Sequence, residues 1–546
     1  MIHWEPSQWS EIPFTKRALS DKIITGIYVF YVVLDGRLQK MSFLWKQQRI
    51  RLWFSAAAAL TAVLILSMVF GGTGSEAEAP TAGDESVPSA EVIQQIAVSM
   101  GKEQENSYVT SYLEQDPYLT NIYEGYGFAI DYGSARGHYY TLEDVKKTQR
   151  PHAKANCITC KTPDMHKMIA EQGISVYSMP FDEVMAQMTQ PISCYTCHGA
   201  DDGNSGRIVI THQYVNEALG ENVSQVKAAS LACGQCHIEY YFTPEDSEAM
   251  MPYHSVEEMA PEAILAYYDS MDFYDWEQPG TGTKMLKAQH PELENWSLGK
   301  HAGLMSCADC HMETAQTESG EAYHDHHLIS PLNSETVLAK CAACHGSAEN
   351  TIALVKSIQE NITGREIEVG NRLSELKDAL TAAAASDQMN EEELDKVRKL
   401  HREAQWFFDF CYVENSEGAH NSTLSTRCLD TSAAKIEEAM WLLNPDSAAA
   451  AGKAASPFAG FRITKQTPYS TITVILYMRN GVIKDCRIFS EGEQDLLTGS
   501  IRKAWARSIV EKGDADTDAI SGATLTVSAD AVREAVNETL SGITGK

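Results

Sequence analysis

The apolar and polar positions of this chain fall into four textures. Residues 52–70, LWFSAAAALTAVLILSMVF, carry no charge, and Lys46, Arg49 and Arg51 stand just ahead of them. That length and that flanking charge fit a membrane-spanning helix with its basic end inside. A cleaved signal peptide is the rival, with Ala77-Glu78-Ala79 as the cleavage sequence. Residues from about 91 to 346 read as loop-rich, with short helices. From about 347 to 445, stretches such as IALVKSIQENI and EEELDKVRKLHREAQWFFDF repeat apolar residues every three or four positions. Helices so long and one-faced bury their stripes on each other or on a second subunit. The last stretch changes period again. TITVILYMRNGVIKDCRIF is two β-type runs joined by Asn480-Gly481, a type I′ hairpin signal. A polar segment and then an amphipathic helix over roughly 528–540 follow it.

These textures predict a mainly α protein with a loop-rich core, long helices after it and a small α+β domain at the C-terminus. Residues 1–40 read as a mis-assigned leader, an upstream translation artefact ahead of a conventional export segment that starts at Met41. Residues 41–70 are an export signal or membrane anchor, 71–90 a linker, 91–445 the main domain, 446–456 a second linker and 457–546 the C-terminal domain. Either fate of 52–70 exports the remainder, to the periplasm or the outer face of the cytoplasmic membrane. A net charge of −30 argues against a nucleic-acid surface, which needs a basic patch.

Ten of the 13 cysteines form five Cys-x-x-Cys pairs, leaving Cys411, Cys428 and Cys486. An odd, scattered remainder does not make a disulfide framework. Four pairs run straight into histidine: CYTCH at 194–198, CGQCH at 233–237, CADCH at 307–311 and CAACH at 341–345. Cys-x-x-Cys-His is the attachment sequence of c-type haem. Two thiols one helical turn apart bond to one porphyrin, and the next residue lies under the iron as an axial ligand. The spacing between motifs does not suit a zinc ribbon. An iron with two histidine ligands is saturated and transfers electrons, whereas one with an open side binds substrate. The fifth pair is CITCK at 157–161, with Lys161 in the histidine position. An amine ligates iron only in its neutral form, which burial against the metal favours. A haem built differently from its four neighbours points to different work.

The order of motifs, one Cys-x-x-Cys-Lys and then four Cys-x-x-Cys-His, resembles pentahaem cytochrome c nitrite reductase, the ammonia-forming family. CGQCHIEYYF at 233–242 and MLKAQHPE at 285–292 resemble its signatures. The resemblance implies a catalytic haem on Cys157, Cys160 and Lys161, walled by Arg150, Tyr240 and His290. It implies four further haems: Cys194, Cys197 and His198 with distal His326, for which His324 and His327 are rivals; Cys233, Cys236 and His237 with His138; Cys307, Cys310 and His311 with His420; and Cys341, Cys344 and His345 with His301. It also implies a calcium ion on Glu239, Gln289 and the carbonyls of Tyr240 and Lys287, a donor set of the kind calcium prefers. Nitrite would be the substrate, a homodimer the assembly and a membrane or quinol-linked protein the donor. His290 is the wall residue whose charge is expected to change near neutral pH.

The tail carries DAISGAT at 518–524 and resembles the FMN-binding domain of Nqr/Rnf-type electron-transfer proteins. That resemblance implies covalent FMN on Thr524, with Asp518, Ser521 and Gly522 in the attachment motif, and a domain that serves as electron entry. The alternatives are a non-catalytic multihaem wire, in which Lys161 is structural, and a reductase of sulfite or hydroxylamine.

Overall fold

Long helices form where the sequence supplies both a start signal and a buried stripe. The first, α1 (Ala348–Ala384), starts at Ser347, whose side chain accepts from the Asn350 amide. The second, α2 (Glu391–Tyr412), starts at a reciprocal cap between Asn390 and Glu393 and carries three glutamates in its first turn, where the helix dipole favours them. The third, α3 (Ser422–Leu443), starts at Asn421, whose side chain accepts from the Leu424 amide. On α2 a one-sided stripe of Leu394, Val397 and Leu400 widens into the fully buried run Ala404–Cys411, so its C-terminal half lies inside the domain. The three helices share one apolar core with Tyr118, Leu119, Tyr253, Met285 and Leu286 from the loop-rich region. Gly370 of α1 meets the ring of Tyr118, a contact that leaves no room for a Cβ.

This computed structural model describes residues 88–105, 109–150, 154–198, 212, 214–386, 389–444, 459–479, 482–491, 499–515 and 523–544, all within the compact unit Glu85–Lys546. The leader (1–40), the export segment (41–70) and the linkers, apart from 88–90, lie outside the described residues. Among the described residues no helix is long and apolar enough to cross a membrane. Among the described residues between 88 and 346 the elements are short helices and three two-stranded hairpins, the loop-rich texture that the sequence predicts.

The C-terminal domain is a three-stranded antiparallel sheet, β1 (Ala459–Gln466), β2 (Thr471–Arg479) and β3 (Val482–Glu491), in that order. Arg479 pairs with Val482 across the expected hairpin; Asn480 and Gly481 themselves lie outside the described residues. Ile472, Val474, Leu476 and Met478 alternate onto one face and pack against Trp505 and Ile509 of α4 (Gly499–Lys512) and Val532, Ala535 and Val536 of α5 (Ala523–Thr544). Two features correct the sequence reading. β1 was not among the two expected runs, because AGFRITKQ holds only two large apolar residues. The expected polar segment contains α4, whose few apolar residues find partners only once the sheet is in place.

Candidate functional site

Each Cys-x-x-Cys pair lies on, or at the end of, a short helix, which brings both thiols and the next residue to one side. Cys194–Cys197 is a single turn. Cys307–His311 starts at a reciprocal cap between Ser306 and Asp309. Cys341, Cys344 and His345 end the helix Glu335–His345, and Cys233 lies in Ala228–Gly234. Cys157, Cys160 and Lys161 close the 3-10 helix Ala155–Lys161. No two of the thirteen cysteines are joined in a disulfide; Cys411, Cys428 and Cys486 are buried.

Histidines far apart in sequence come together in pairs. The ring centres of His198 and His326 are 6.2 Å apart, those of His138 and His237 6.2 Å, those of His311 and His420 6.1 Å, and those of His301 and His345 6.2 Å. Two imidazoles that ligate one metal from opposite sides, with metal–nitrogen bonds of about 2 Å, have ring centres roughly 6 Å apart. His326, rather than His324 or His327, lies beside His198. His237 has a second neighbour, His290, at 6.3 Å.

Several of these rings are oriented through Nδ1, which leaves Nε2 to face a partner. His311 Nδ1 lies 3.0 Å from the Ile329 carbonyl and His326 Nδ1 2.7 Å from the His324 carbonyl. His420 Nδ1 meets Glu414. His237 Nδ1 is 3.8 Å from Glu292, whereas His138 Nδ1 faces Glu103 at 3.7 Å without a hydrogen bond. Such partners fix the tautomer and raise ligand basicity. Glu103, Glu292 and Glu414 were missed in the sequence, where no spacing marks an acceptor supplied from elsewhere in the chain.

Lys161 ends its helix among these groups, and its charge acts on His138, His237 and His290 as well as on Cys157 and Cys160. The loop beneath is pinned by Asn156, which donates to the Ser247 carbonyl at 2.6 Å and accepts from Thr159 at 2.7 Å and from Tyr214. Tyr214 in turn packs 5.9 Å from Tyr240, which has Phe242 on its other side at 5.2 Å. Asn156 and Tyr214 are positioning residues that the sequence did not mark. Burial holds the Tyr240 phenol well above its ordinary pKa, so it stays a hydrogen-bond donor.

The His290 side chain is exposed although protein surrounds it. Burial first, opposed by Glu292 and aided by Lys161, His237 and Lys287, lowers its pKa to about 4. The expected change of charge near neutral pH is therefore corrected: the imidazole is neutral there. Arg150 is set slightly apart. Its guanidinium lies 3.7 Å over the Phe128 ring and donates to the Asp131 carbonyl at 3.3 Å, while its charge still reaches Cys157 and Lys287.

The expected calcium ligands Glu239, Lys287 and Gln289 meet in one place. The Gln289 amide donates to Glu239 Oε2 at 2.5 Å, and Gln289 Nε2 donates to the Lys287 carbonyl at 2.8 Å. Glu239 Oε1 and Glu294 Oε2 are buried without a hydrogen-bond partner. Burial raises Glu239 well above the usual carboxylate range and Glu294 to about 7. An unsatisfied buried carboxylate beside backbone carbonyls and an amide is a donor set that fits a hard cation. Among the described residues no cluster of three acidic, histidine or cysteine side chains holds a metal, so such a site depends on the neutral oxygens. The side chain of Thr524 lies outside what the structure describes; the residue itself is the second of α5.

The sequence profile of the cytochrome c552 family matches residues 91–472, and that of the FMN-binding domain matches 469–541. The fold is similar to cytochrome c nitrite reductase from Desulfovibrio desulfuricans, with 24% identity over 67% of this chain and 88% of that one and a TM-score of 0.59. The work on that protein's catalytic subunit concerns two calcium sites. An outer cell wall cytochrome is 18% identical over 55% of this chain and 48% of that one, with a TM-score of 0.30.

Proposed function

The chain belongs to the cytochrome c552 family and ends in an FMN-binding domain, and on that premise we propose that it reduces nitrite to ammonium at the site around Lys161. The observation that carries this reading is a contrast. Four Cys-x-x-Cys-His motifs each have a second histidine ring at 6.1–6.2 Å, whereas the one motif ending in lysine lies within electrostatic reach of Tyr240, His290 and Arg150.

The reaction takes six electrons and eight protons per nitrite, so one substrate site must be served by a reservoir. A haem on Cys157 and Cys160, when bound, supplies an iron that holds the substrate and passes it electrons. Lys161 would hold that iron as a neutral amine. The four histidine pairs leave no open position for substrate, which suits sites that store and relay electrons. His290, neutral, and Tyr240, protonated, donate hydrogen bonds to the oxygens that leave as water. Arg150 supplies positive charge where negative charge builds. A calcium ion on Glu239, Gln289 and the carbonyls of Tyr240 and Lys287 would fix the two loops that carry Tyr240 and His290. FMN on Thr524 makes the C-terminal domain the electron entry. The export segment puts the protein outside the cytoplasm, anchored by 52–70, and the long helices suit a homodimer that takes electrons from a membrane or quinol-linked donor.

His290→Ala tests the site. Nitrite turnover should fall by roughly a hundredfold, the size of a lost positioned donor, with all five haems still attached by mass. Full activity in that variant would show that His290 does not act on the substrate.

A further inference from the structure

The C-terminal sheet buries one face and part of the other. Ile472, Val474, Leu476 and Met478 point at α4 and α5. The intervening Ile475 and Tyr477 belong to the opposite face, yet they are only 6% and 2% exposed, packed with Ile367 of α1. A small sheet with one helical layer ordinarily leaves its second face polar and wet. Here that face carries a row across all three strands: Arg462 pairs with Ile475, and Ile475 with Arg487. Every member has a partner in the main domain. Arg462 Nη1 is 2.7 Å from Glu360 Oε1. Arg487 Nη2 is 3.3 Å from Asp116 Oδ1, with Nε 3.1 Å from Asp485 Oδ2. Asp116 is itself 3% exposed and accepts from Tyr412 at 2.9 Å.

The seat borders one particular part of the main domain. Gln359, next to Glu360, donates to the Ser416 carbonyl at 3.2 Å. Glu417 of the same loop lies within electrostatic reach of Arg487. That loop continues through Glu414, which orients His420, and through Ser416, whose Oγ donates to Glu414 at 2.6 Å and accepts from the His420 amide at 2.9 Å. His420 is the ring opposite His311.

We propose that the C-terminal domain works from this one seat, latched by Arg462, Ile475 and Arg487, and hands its electrons to the haem site of Cys307, Cys310, His311 and His420. The second half rests on the reading of the domain as an FMN carrier and electron entry. The step is a single electron transfer: reduced FMN loses one electron, the ferric haem gains it, and no heavy-atom bond forms or breaks. A latched domain keeps donor and acceptor at one separation, whereas a domain swinging on the linker at 446–456 would have to find its acceptor at each turnover.

The test uses the full chain with its haems and flavin. Arg487→Glu and Arg462→Glu are compared with the parent by small-angle scattering and by flash reduction of the flavin. Each variant should enlarge the radius of gyration and slow flavin-to-haem transfer by roughly tenfold or more, as expected when one partner of a buried or bridging ion pair is reversed. Parent dimensions and parent rate in both variants would overturn the seat. Enlarged dimensions with an unchanged rate would overturn its role in transfer. Arg462→Glu, at a more open pair, decides the matter if Arg487→Glu loses its flavin. His420→Met identifies the acceptor, since methionine–histidine ligation raises the potential and changes the spectrum of that haem alone. The first haem reduced must then carry the methionine-ligated spectrum; a bis-histidine haem reduced first would refute the assignment. A parent chain that holds no flavin would remove the electron-entry reading, while the scattering would still judge the seat.

Discussion

Glu414 is almost wholly buried and spends its carboxylate on one histidine, meeting His420 Nδ1 and held in place by Ser416. An imidazole that donates to a carboxylate is a stronger base and favours the ferric state of the iron it ligates. Glu414→Gln should therefore raise the reduction potential of one haem and leave haem content unchanged, which a redox titration would show; five unchanged potentials would contradict it. The cation cradle has an equally local test. Glu239 has a buried oxygen without a partner, so chelation should lower nitrite turnover and added calcium restore it, while Glu239→Gln should weaken calcium binding by roughly tenfold or more, measured by titration of the stripped protein. Residues of the first kind of site were legible in the sequence because covalent attachment of haem needs contiguous residues: Cys157, Cys160 and Lys161 announce themselves. Glu103, Glu292, Asn156 and Tyr214 were not, because each acts on a group that only folding brings near. The neutral state of His290 was also invisible, since it depends first on the burial that the fold imposes on the ring.

At the scale of elements, the helices over 348–443 were legible because caps and apolar stripes agree over many turns, and their junction with the short elements hangs on single close contacts. Gly370 is the clearest of these, since a methyl group there would enter the Tyr118 ring. Gly370→Ala should cost about 1–3 kcal/mol from overpacking, partly offset by up to about 1 kcal/mol of helix propensity. Thermal unfolding should show a lower Tm, with Tyr118→Phe unable to relieve it; an unchanged or higher Tm would mean that α1 does not pack as described. β1 and α4 escaped the sequence because each is short, half polar and stabilised by neighbours rather than by its own pattern. Sheet alternation explains the rest: Ile475 and Tyr477 read as ordinary strand residues in sequence, and only the fold shows that they are buried against Ile367.

For the whole molecule, the account joins a domain that gathers electrons to one that spends them. Deletion of 457–546 should slow reduction by the physiological donor and spare turnover with a small artificial reductant, because a small donor can reach the haem sites without the flavin; equal loss of both activities would instead give the domain a folding role. The central claim concerns the odd motif. The most direct measurement is ammonium produced from nitrite by Lys161→His beside the parent, with haem count and the high-spin signal recorded on the same samples. The account predicts that the parent makes ammonium and shows one high-spin haem, and that Lys161→His keeps five haems yet loses at least roughly tenfold in turnover. A parent without ammonium or a high-spin haem, or a Lys161→His variant as active as the parent, would contradict it.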